Sequence, residues 1–489
     1  MKIPDSFSHK TNFLLFVALF TCLLLAAFLL RFNGLYGQDA HEYLRLMRAL
    51  GDYIKHGTSI AHSYFPIGYP LVALPLSGIL SNDITVMQLV PMMALPVSFF
   101  YLKKLLQLIH EKASMVNSYL LAFFFFSPYV FRFGLLSMSD MLCLFFVIAA
   151  VYHSVGYSKL RGTQHAVLFG LFTAFAITTR YAAGVLLLLP ALFLFRALLI
   201  DKDFKTVCFT LFAFCFPLIP DWLIRGRILF LDAAEKFTID YASNAYTWSP
   251  LNFFRSTFQN PDGNQQYDFW NIVAVTFNVI HPAYLFAGFL FILFMKRHDI
   301  ASPAMKLLLW MVIGYGLFIA GLQYQNNRYL LQSFPFLLVI FYPAFLRIVR
   351  QYFLKRRIQQ LTFALIIFIQ LLLFGYSFQK ILLLNYTEQE ISSSLQPYAG
   401  QTVYTCSITG ALSSYQVQNP VIDLYFNRIP EPVNHSLLLF NYPEFSQYYA
   451  GRLPMVNWTV LNDKAHLRVI RSFPGGWSLY AVEAKELTP

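Results

Sequence analysis

The chain has 489 residues, of which 57% are hydrophobic, 18% aromatic and only 12% charged. Soluble proteins usually carry about a quarter charged residues, so this composition excludes an ordinary soluble protein and indicates a chain whose solvent is lipid. The formal net charge of +12 does not indicate nucleic-acid binding, because the basic residues cluster in short loops between apolar runs, where they report membrane topology.

Eleven apolar runs have about the length that a membrane crossing requires, which is about 20 residues. The sequence therefore predicts an all-α polytopic membrane protein with about eleven transmembrane helices. No cleavage site follows the first run, so it is interpreted as a retained helix. The runs cover residues 13–30, 84–102, 113–131, 140–157, 166–181, 183–199, 206–222, 270–295, 306–322, 329–346 and 361–384.

The distribution of Lys and Arg predicts the orientation of these helices. If the N-terminus is cytoplasmic, alternate short loops are basic, as the positive-inside rule requires. The outer side then receives the loops 31–83 and 223–269 and the tail. We expect a transmembrane catalytic domain over 1–384 and an extracytoplasmic domain over 385–489. The expected location is the bacterial inner membrane or an equivalent membrane, with the active site facing the periplasm or exterior.

The first outer loop begins with the acidic stretch Gly37 to Leu44. Leu44, Met47 and Ile54 recur at helical spacing, which predicts an amphipathic helix on the membrane surface. Asp39 at its start admits two interpretations. It is either the N-cap of a capping box completed by Glu42, or a functional acid.

The stretch 63–76 follows, with three prolines and a glycine among aromatic residues. Prolines remove backbone donors, so this stretch is predicted to be an interfacial turn or re-entrant piece rather than a regular helix.

Later outer turns carry Arg132, Arg180 and Arg328, and one of them also carries Asp140. A single arginine at a membrane interface usually anchors to headgroups. Several arginines gathered with two acids on one face indicate phosphate binding, to which the guanidinium fork is suited.

After the last apolar run, the long apolar stretches give way to short runs that are typical of β-strands. This pattern predicts a small C-terminal α/β domain of about 100 residues. Its expected elements are strands at 402–407, 420–426 and 436–442, a hairpin over 466–484 and a short helix at 410–416. The five cysteines show neither CxxC nor Cys/His spacing, so neither a disulfide framework nor a structural zinc site is indicated.

Taken in order, the motifs of residues 10–345 resemble those of GT-C-fold glycosyltransferases, the branch of protein O-mannosyltransferases and lipid A aminoarabinose transferases. The matching segments are Asp39 with Glu42-Tyr43, the Pro-x-Gly-Tyr-Pro-Leu stretch, Ser139-Asp140, Thr179-Arg180-Tyr181 with Leu189-Pro190, and Arg328-Tyr329-Leu330-Leu331 with Pro335. Many relatives have two adjacent acids, whereas here Ala40 follows Asp39 and the next acid is Glu42, which leaves the acid pairing and any metal role open.

The resemblance implies that Asp39 is the catalytic base and Asp140 a second functional acid, with Glu42 as a further candidate. The expected donor-phosphate ligands are Arg328, Arg180, Arg132 and Tyr329. The expected lining of the donor or acceptor cavity is His41, Tyr64, Tyr69 and Tyr181.

The implied reaction transfers a sugar from a polyprenyl-phosphate donor to a lipid, glycan or protein acceptor, with inversion. The acceptor needs one base, and the anionic leaving group needs Arg donors or a divalent metal. Two alternatives stay open: a membrane glycan ligase or polymerase with a diphosphate-linked donor, and a multi-pass lipid or sugar transporter. The near absence of charged residues from the spans argues against transport. A non-catalytic scaffold or receptor would not need acids and arginines on one interface.

Overall fold

The structure is a computed structural model, and it describes residues 9–60, 63, 65–110, 113–226, 248–255, 258–260, 265–267, 269–322, 325–429 and 435–485. Helices dominate this part of the chain. They are α1 (His9–Leu29), α2 (Gly37–His56), α3 (Gly68–Ser77), α4 (Asp83–Ile109), α5 (Val116–Leu120), α6 (Pro128–Leu135), α7 (Ser139–Leu160), α8 (Thr163–Thr179), α9 (Ala183–Asp201), α10 (Phe204–Cys215), α11 (Leu218–Arg225), α12 (Asn271–Ile280), α13 (Gly288–Phe294), α14 (Pro303–Ala320), α15 (Phe334–Tyr352), α16 (Arg356–Ser394), α17 (Thr409–Ser414), α18 (Tyr442–Tyr448) and α19 (Leu453–Lys464).

Among the described residues, eight helices are long and apolar enough to span a membrane. A ninth span is obtained if the helical turns 116–125 and α6, which meet at 71°, form one bent crossing. Each of the eleven predicted runs contains helix. The two runs outside this count are α8, which has 17 residues, and the predicted span 270–295, which is divided between α12 and α13. The chain is therefore a polytopic, mainly helical integral membrane protein, as predicted.

Helix α7 lies in the middle of the bundle, where it packs against α4, α8 and α9. Its side chains are buried nearly all round, from Met141 to Tyr157. A helix that is apolar on every face is stable only inside a core or a membrane. Its first turn, which carries Asp140, is thereby held at a fixed position at one end of the bundle.

The segment 63–76 was predicted not to form a regular helix, and this prediction was wrong, because α3 begins at Gly68. Pro70 is the third residue of the helix, where a backbone N–H has no acceptor within the helix, so the ring costs little there. Only Pro75 lies in the interior. The start of α3 lies so close to the end of α8 that a Cβ on Gly68 would meet the Thr178 carbonyl oxygen at 2.6 Å.

The C-terminal residues form the predicted small α/β domain, with its own hydrophobic core. Helix α16, 39 residues long, leaves the bundle and continues without interruption to Ser394 beside this domain. A small two-stranded sheet elsewhere in the chain pairs β1 (Phe258–Asn260) with β2 (Gln265–Tyr267). The strands of the C-terminal domain are β3 (Val403–Thr405), β4 (Val421–Asp423), β5 (Ser436–Phe440), β6 (Ala465–Ser472) and β7 (Ser478–Ala484). Their order in the sheet is β4-β3-β5-β7-β6, with β3 parallel to β4 and β5 and the other pairs antiparallel.

Candidate active site

Four chain segments meet at one end of the bundle and bring charged side chains together. They are the first turn of α2, the start of α7, the residues after α8 and the 3₁₀ turn Asn327–Gln332. The turn is capped by the Asn326 side chain, which accepts a hydrogen bond from the backbone N–H of Arg328 at 3.0 Å. Local chemistry therefore fixes the direction in which the Arg328 side chain leaves the turn.

The outer ion pair joins Arg328 to Asp39, and a guanidinium Nη2 donates to the Asp39 carboxylate. Both side chains are accessible, Asp39 to 22% and Arg328 to 13%. Of the two interpretations of Asp39, the capping box was wrong, because α2 begins at Gly37 after Tyr36, and Asp39 lies inside the first turn. A carboxylate at that position is stabilised by the helix dipole and does not need to act as the cap.

The inner ion pair joins Arg180 to Asp140 at 2.7 Å, and Asp140 is only 2% exposed. The backbone carbonyl of Asp140 also accepts a hydrogen bond from Gln332 Nε2 at 2.9 Å. This bond fastens the turn that carries Arg328 onto the start of α7. The Tyr329 ring links the two pairs, since the guanidinium carbons of Arg328 and Arg180 lie 5.8 and 5.9 Å from its centroid.

Asp39, Arg328, Arg180 and Tyr329 line a cavity of about 80 Å³. Its charged lining residues are Asp39, Arg180 and Arg328. With Asp140 behind Arg180, two guanidinium groups face two carboxylates, so the site as a whole carries no excess charge. The two guanidinium groups still offer N–H donors that can bind phosphate oxygens. The remaining lining residues are Tyr43, Phe65, Pro66, Tyr181, Ala182, Ile319, Leu322 and Tyr329.

Tyr181 and Tyr43 supply two of the three tyrosine hydroxyl groups of the cavity lining. The Tyr181 hydroxyl accepts a hydrogen bond from Arg225 Nη1 at 2.8 Å, and the Tyr43 hydroxyl is 2.8 Å from Ser139 Oγ. Burial raises the pKa of Tyr43 above its usual value, so its phenol stays protonated at neutral pH. Tyr181 was predicted to line the cavity, and Tyr43 belonged to the acidic motif without a role of its own.

Glu42 and Arg132, two of the predicted site residues, lie elsewhere. Glu42 accepts two hydrogen bonds from Arg45, each 2.7 Å long, and one from Ser63 Oγ at 2.8 Å. Arg132 is buried between aromatic rings, 5.3 Å from the Tyr129 ring centroid. Neither residue lines the cavity of Asp39 and Arg328.

The other predicted aromatic and imidazole residues are also placed differently from the expectation. Tyr69 is fully buried and donates its hydroxyl to the Met87 carbonyl at 2.6 Å. His41 faces the C-terminal domain, with Nδ1 2.9 Å from Ser414 Oγ and Nε2 3.3 Å from Glu388 Oε2. Tyr64 falls outside the described residues.

Sequence reasoning did not find the apolar wall of the cavity, which includes Phe65, Ile319 and Leu322. Nothing distinguishes these residues in an apolar chain. In the described part of the chain, no group of three or more His, Cys, Asp or Glu side chains is arranged to hold a metal ion.

Comparison with known proteins identifies the fold. No protein-family model matches the chain, and no curated protein matches it by sequence. Among solved structures, it is similar to ArnT from Cupriavidus metallidurans bound to undecaprenyl phosphate, with a TM-score of 0.59 and 11% identity over 97% of this chain and 98% of that one. The apo state of the same protein gives a TM-score of 0.56 at 12% identity, again over 97% and 98%.

The oligosaccharyltransferase of Archaeoglobus fulgidus in the apo form is also similar, with a TM-score of 0.48 and 12% identity over 97% of this chain and 75% of that one. The chain therefore has the GT-C fold of ArnT over nearly its whole length.

Proposed function

We propose that the protein is a membrane glycosyltransferase that moves a sugar from a polyprenyl-phosphate donor to an acceptor, with inversion at the anomeric carbon. The observation that carries this proposal is the pair of Asp39 and Arg328 on the wall of a cavity, beside Arg180. The fold supports it, because ArnT, which has the same fold, has been solved with undecaprenyl phosphate bound.

The proposed reaction needs one base and one anion-binding group, and the cavity offers both. A hydroxyl or amine of the acceptor gives its proton to the Asp39 carboxylate as it attacks the anomeric carbon. The bond from that carbon to the phosphate oxygen breaks, and the phosphate keeps the electron pair. Arg328 and Arg180 stabilise the resulting charge through guanidinium N–H groups in a partly dry site.

The contact between Asp39 and Arg328 is compatible with both roles. A guanidinium has five N–H donors, so one edge can hold the Asp39 carboxylate while another binds a phosphate oxygen. Only the carboxylate form of Asp39 can take the proton of the acceptor. Asp140, buried behind Arg180, orients that arginine and is proposed to act on the reaction through it.

The experiment incubates the purified protein with a set of polyprenyl-phosphate sugars and polyprenyl-diphosphate sugars, and measures the released lipid phosphate. Asp39→Asn is expected to lower the rate by about 10²–10⁴-fold, because a carboxamide takes no proton. Asp52→Asn is the matched control, since Asp52 is exposed on the same helix.

An unchanged rate in Asp39→Asn would move the base to another residue. Consumption of the diphosphate donors alone would replace the proposed donor class.

The side of the membrane that the cavity faces is part of the proposal. The alternation of basic loops supports a non-cytoplasmic site, with 1–384 as the catalytic domain and 385–489 outside the membrane on the same side. Reporter fusions at Leu80 and Gln401 are expected to signal the outer compartment, and one at Lys159 the cytoplasm. A cytoplasmic signal at Gln401 would reverse this orientation.

A further inference from the structure

A second concavity of about 560 Å³ lies in the C-terminal part of the chain, away from the charged cavity. It is formed by the end of α16 with the residues that follow it, 389–399, and by the segment 415–419 after α17. We call it the amide groove. Its polar lining consists of four glutamines, one asparagine, two serines and one tyrosine, and no lining residue is charged.

Asn419 gives the amide groove a buried, oriented acceptor. The residue is 7% exposed, and its Nδ2 donates to the backbone carbonyls of Tyr398 at 2.6 Å and Gln401 at 2.9 Å. These two bonds fix which way the amide faces. Its buried Oδ1 receives no hydrogen bond from the described residues. A buried acceptor left unsatisfied costs about 1–3 kcal/mol, so a donor that reaches this atom is favoured by about that amount.

The chemistry of the lining selects the kind of ligand. Side-chain amides and hydroxyls both donate and accept hydrogen bonds, and so do the hydroxyl groups of sugars. Burial raises the pKa of Tyr415, so its phenol also stays neutral. An anionic or cationic ligand would find no counter-charge here, whereas the cavity of Asp39 and Arg328 is lined by charged groups of both signs.

The amide groove is joined to the helix that carries Asp39. The Tyr415 hydroxyl accepts a hydrogen bond from Asn33 Nδ2 at 2.9 Å, just before α2. The neighbouring Ser414 contacts His41 on α2, and its backbone carbonyl accepts a hydrogen bond from Arg48 at 3.2 Å. A ligand in the groove therefore lies against the segment that is fastened to α2.

We infer that the amide groove binds a neutral oligosaccharide. If the proposed function holds, on which this step rests, the oligosaccharide is the part of a glycan acceptor that is remote from the reacting group. A peptide fits less well, because binding by strand addition needs an open edge of several residues, and the edge strand β4 has only three. The donors and acceptors of the groove are side-chain amides, which suit scattered hydroxyl groups rather than a regular backbone.

The test measures binding directly, without the transfer reaction. The full-length protein in detergent is passed over a surface that carries neutral oligosaccharides, acidic oligosaccharides and unglycosylated peptides. We expect capture by neutral oligosaccharides. The double variant Gln416→Ala/Gln418→Ala is expected to weaken that binding about tenfold, since two hydrogen bonds of about 0.5–1.5 kcal/mol each are lost.

Three controls separate the groove from the active site. Gln447→Ala removes an exposed glutamine elsewhere in the same domain and should leave capture unchanged. Asp39→Asn should also leave it unchanged. The double variant should bind undecaprenyl phosphate and melt as the wild type does, since Gln416 and Gln418 are both exposed.

Failure to capture neutral oligosaccharides, equal capture by the double variant, or preference for peptides or acidic glycans would overturn the inference. If oligosaccharides bind through Gln416 and Gln418 but no lipid-linked donor is consumed, the groove stands and the proposed function fails. If donors are consumed without oligosaccharide binding, the proposed function stands and the groove assignment fails.

Discussion

Two Asp–Arg pairs lie at opposite ends of the same two helices, α14 and α15. At one end, Arg328 lies in the turn between α14 and α15 and binds Asp39. At the other end, Asp299 precedes α14 and binds Arg347 near the end of α15. The chemistry of the two pairs is the same, and their surroundings differ.

The Asp299–Arg347 pair holds backbone in place. Asp299 is 3% exposed and accepts a hydrogen bond from the backbone N–H of Lys296 at 2.8 Å. Arg347 donates twice to the carbonyl of Phe294, the last residue of α13, at 2.7 and 3.0 Å. The Asp39–Arg328 pair instead lines a cavity, and Asp39 is 22% exposed. An Asp–Arg pair alone therefore does not indicate a candidate site, and exposure to a cavity is what distinguishes Asp39–Arg328 from Asp299–Arg347.

The largest effect on stability is expected from Arg347→Ala. It leaves the Asp299 carboxylate buried without its charged partner, and breaking a buried pair in this way costs about 3–5 kcal/mol of unfolding free energy. The measurement is the melting temperature in detergent. Arg350→Ala, three residues further along and exposed, serves as the control and should melt close to wild type. Equal melting temperatures for the two variants would remove the structural role of this pair.

Arg328→Ala is expected to weaken ligand binding more than stability, which is the reverse of what is expected for Arg347→Ala. Charge-assisted hydrogen bonds contribute about 1.5–3 kcal/mol, so affinity for undecaprenyl phosphate should fall about 10–100-fold. Its melting temperature should fall less than that of Arg347→Ala, because Asp39 can be reached by water. Arg347→Ala, studied while folded, should bind the lipid phosphate as wild type does. An unchanged affinity in Arg328→Ala would contradict its assignment to the donor phosphate.

The sequence predicted the charged centre of the site because charge is rare in this chain. Four charged residues stand out against the apolar runs, and they occur in the order of the motifs of GT-C-fold glycosyltransferases: Asp39, Asp140, Arg180 and Arg328. Their pairing was not predictable, since Asp39 and Arg328 are 289 residues apart. A local pattern instead suggested a capping box with Glu42, whose carboxylate contacts Ser63 across the outer loop.

Arg132 shows why the remaining assignments differ from the structure. It lies at the end of an apolar run as Arg180 does, and hydrophobicity alone does not distinguish the two. In the folded chain an acid faces Arg180, whereas aromatic rings surround Arg132. The helix lengths were predictable from hydrophobicity. The break between α12 and α13 was missed, because hydrophobicity favours one span over 270–295, although Pro282, which can end a helix, follows the last residue of α12 closely.

Arg328→Lys is expected to lower the lipid affinity less than Arg328→Ala does. Lysine keeps the charge but lacks the planar fork that binds the carboxylate and a phosphate together. We expect the affinity for undecaprenyl phosphate to fall between wild type and Arg328→Ala, by roughly threefold to tenfold, which is about 1 kcal/mol. A titration of the purified protein with the lipid measures it. Full affinity in the lysine variant would mean that only charge matters at this position.

The smallest effect is expected from pH. Burial by itself raises the pKa of Asp299, but the hydrogen bonds from Arg347 and from the backbone N–H of Lys296 outweigh burial and leave this pKa lowered. A carboxyl with a lowered pKa adds stability above its unfolded pKa of about 3.9 and loses that stability as the pH falls through the folded value.

The wild-type melting temperature should therefore drop as the pH is lowered from about 5 to 3, across the unfolded pKa of an aspartate. In Arg347→Ala, burial without the guanidinium raises the pKa of Asp299, so protonation relieves a buried charge and the drop should be shallower. The loss of stability on acidification is smaller than the loss caused by Arg347→Ala, because a protonated Asp299 still accepts hydrogen bonds. Arg350→Ala should follow the wild-type curve, and parallel curves for wild type and Arg347→Ala would show that Asp299 does not couple stability to pH.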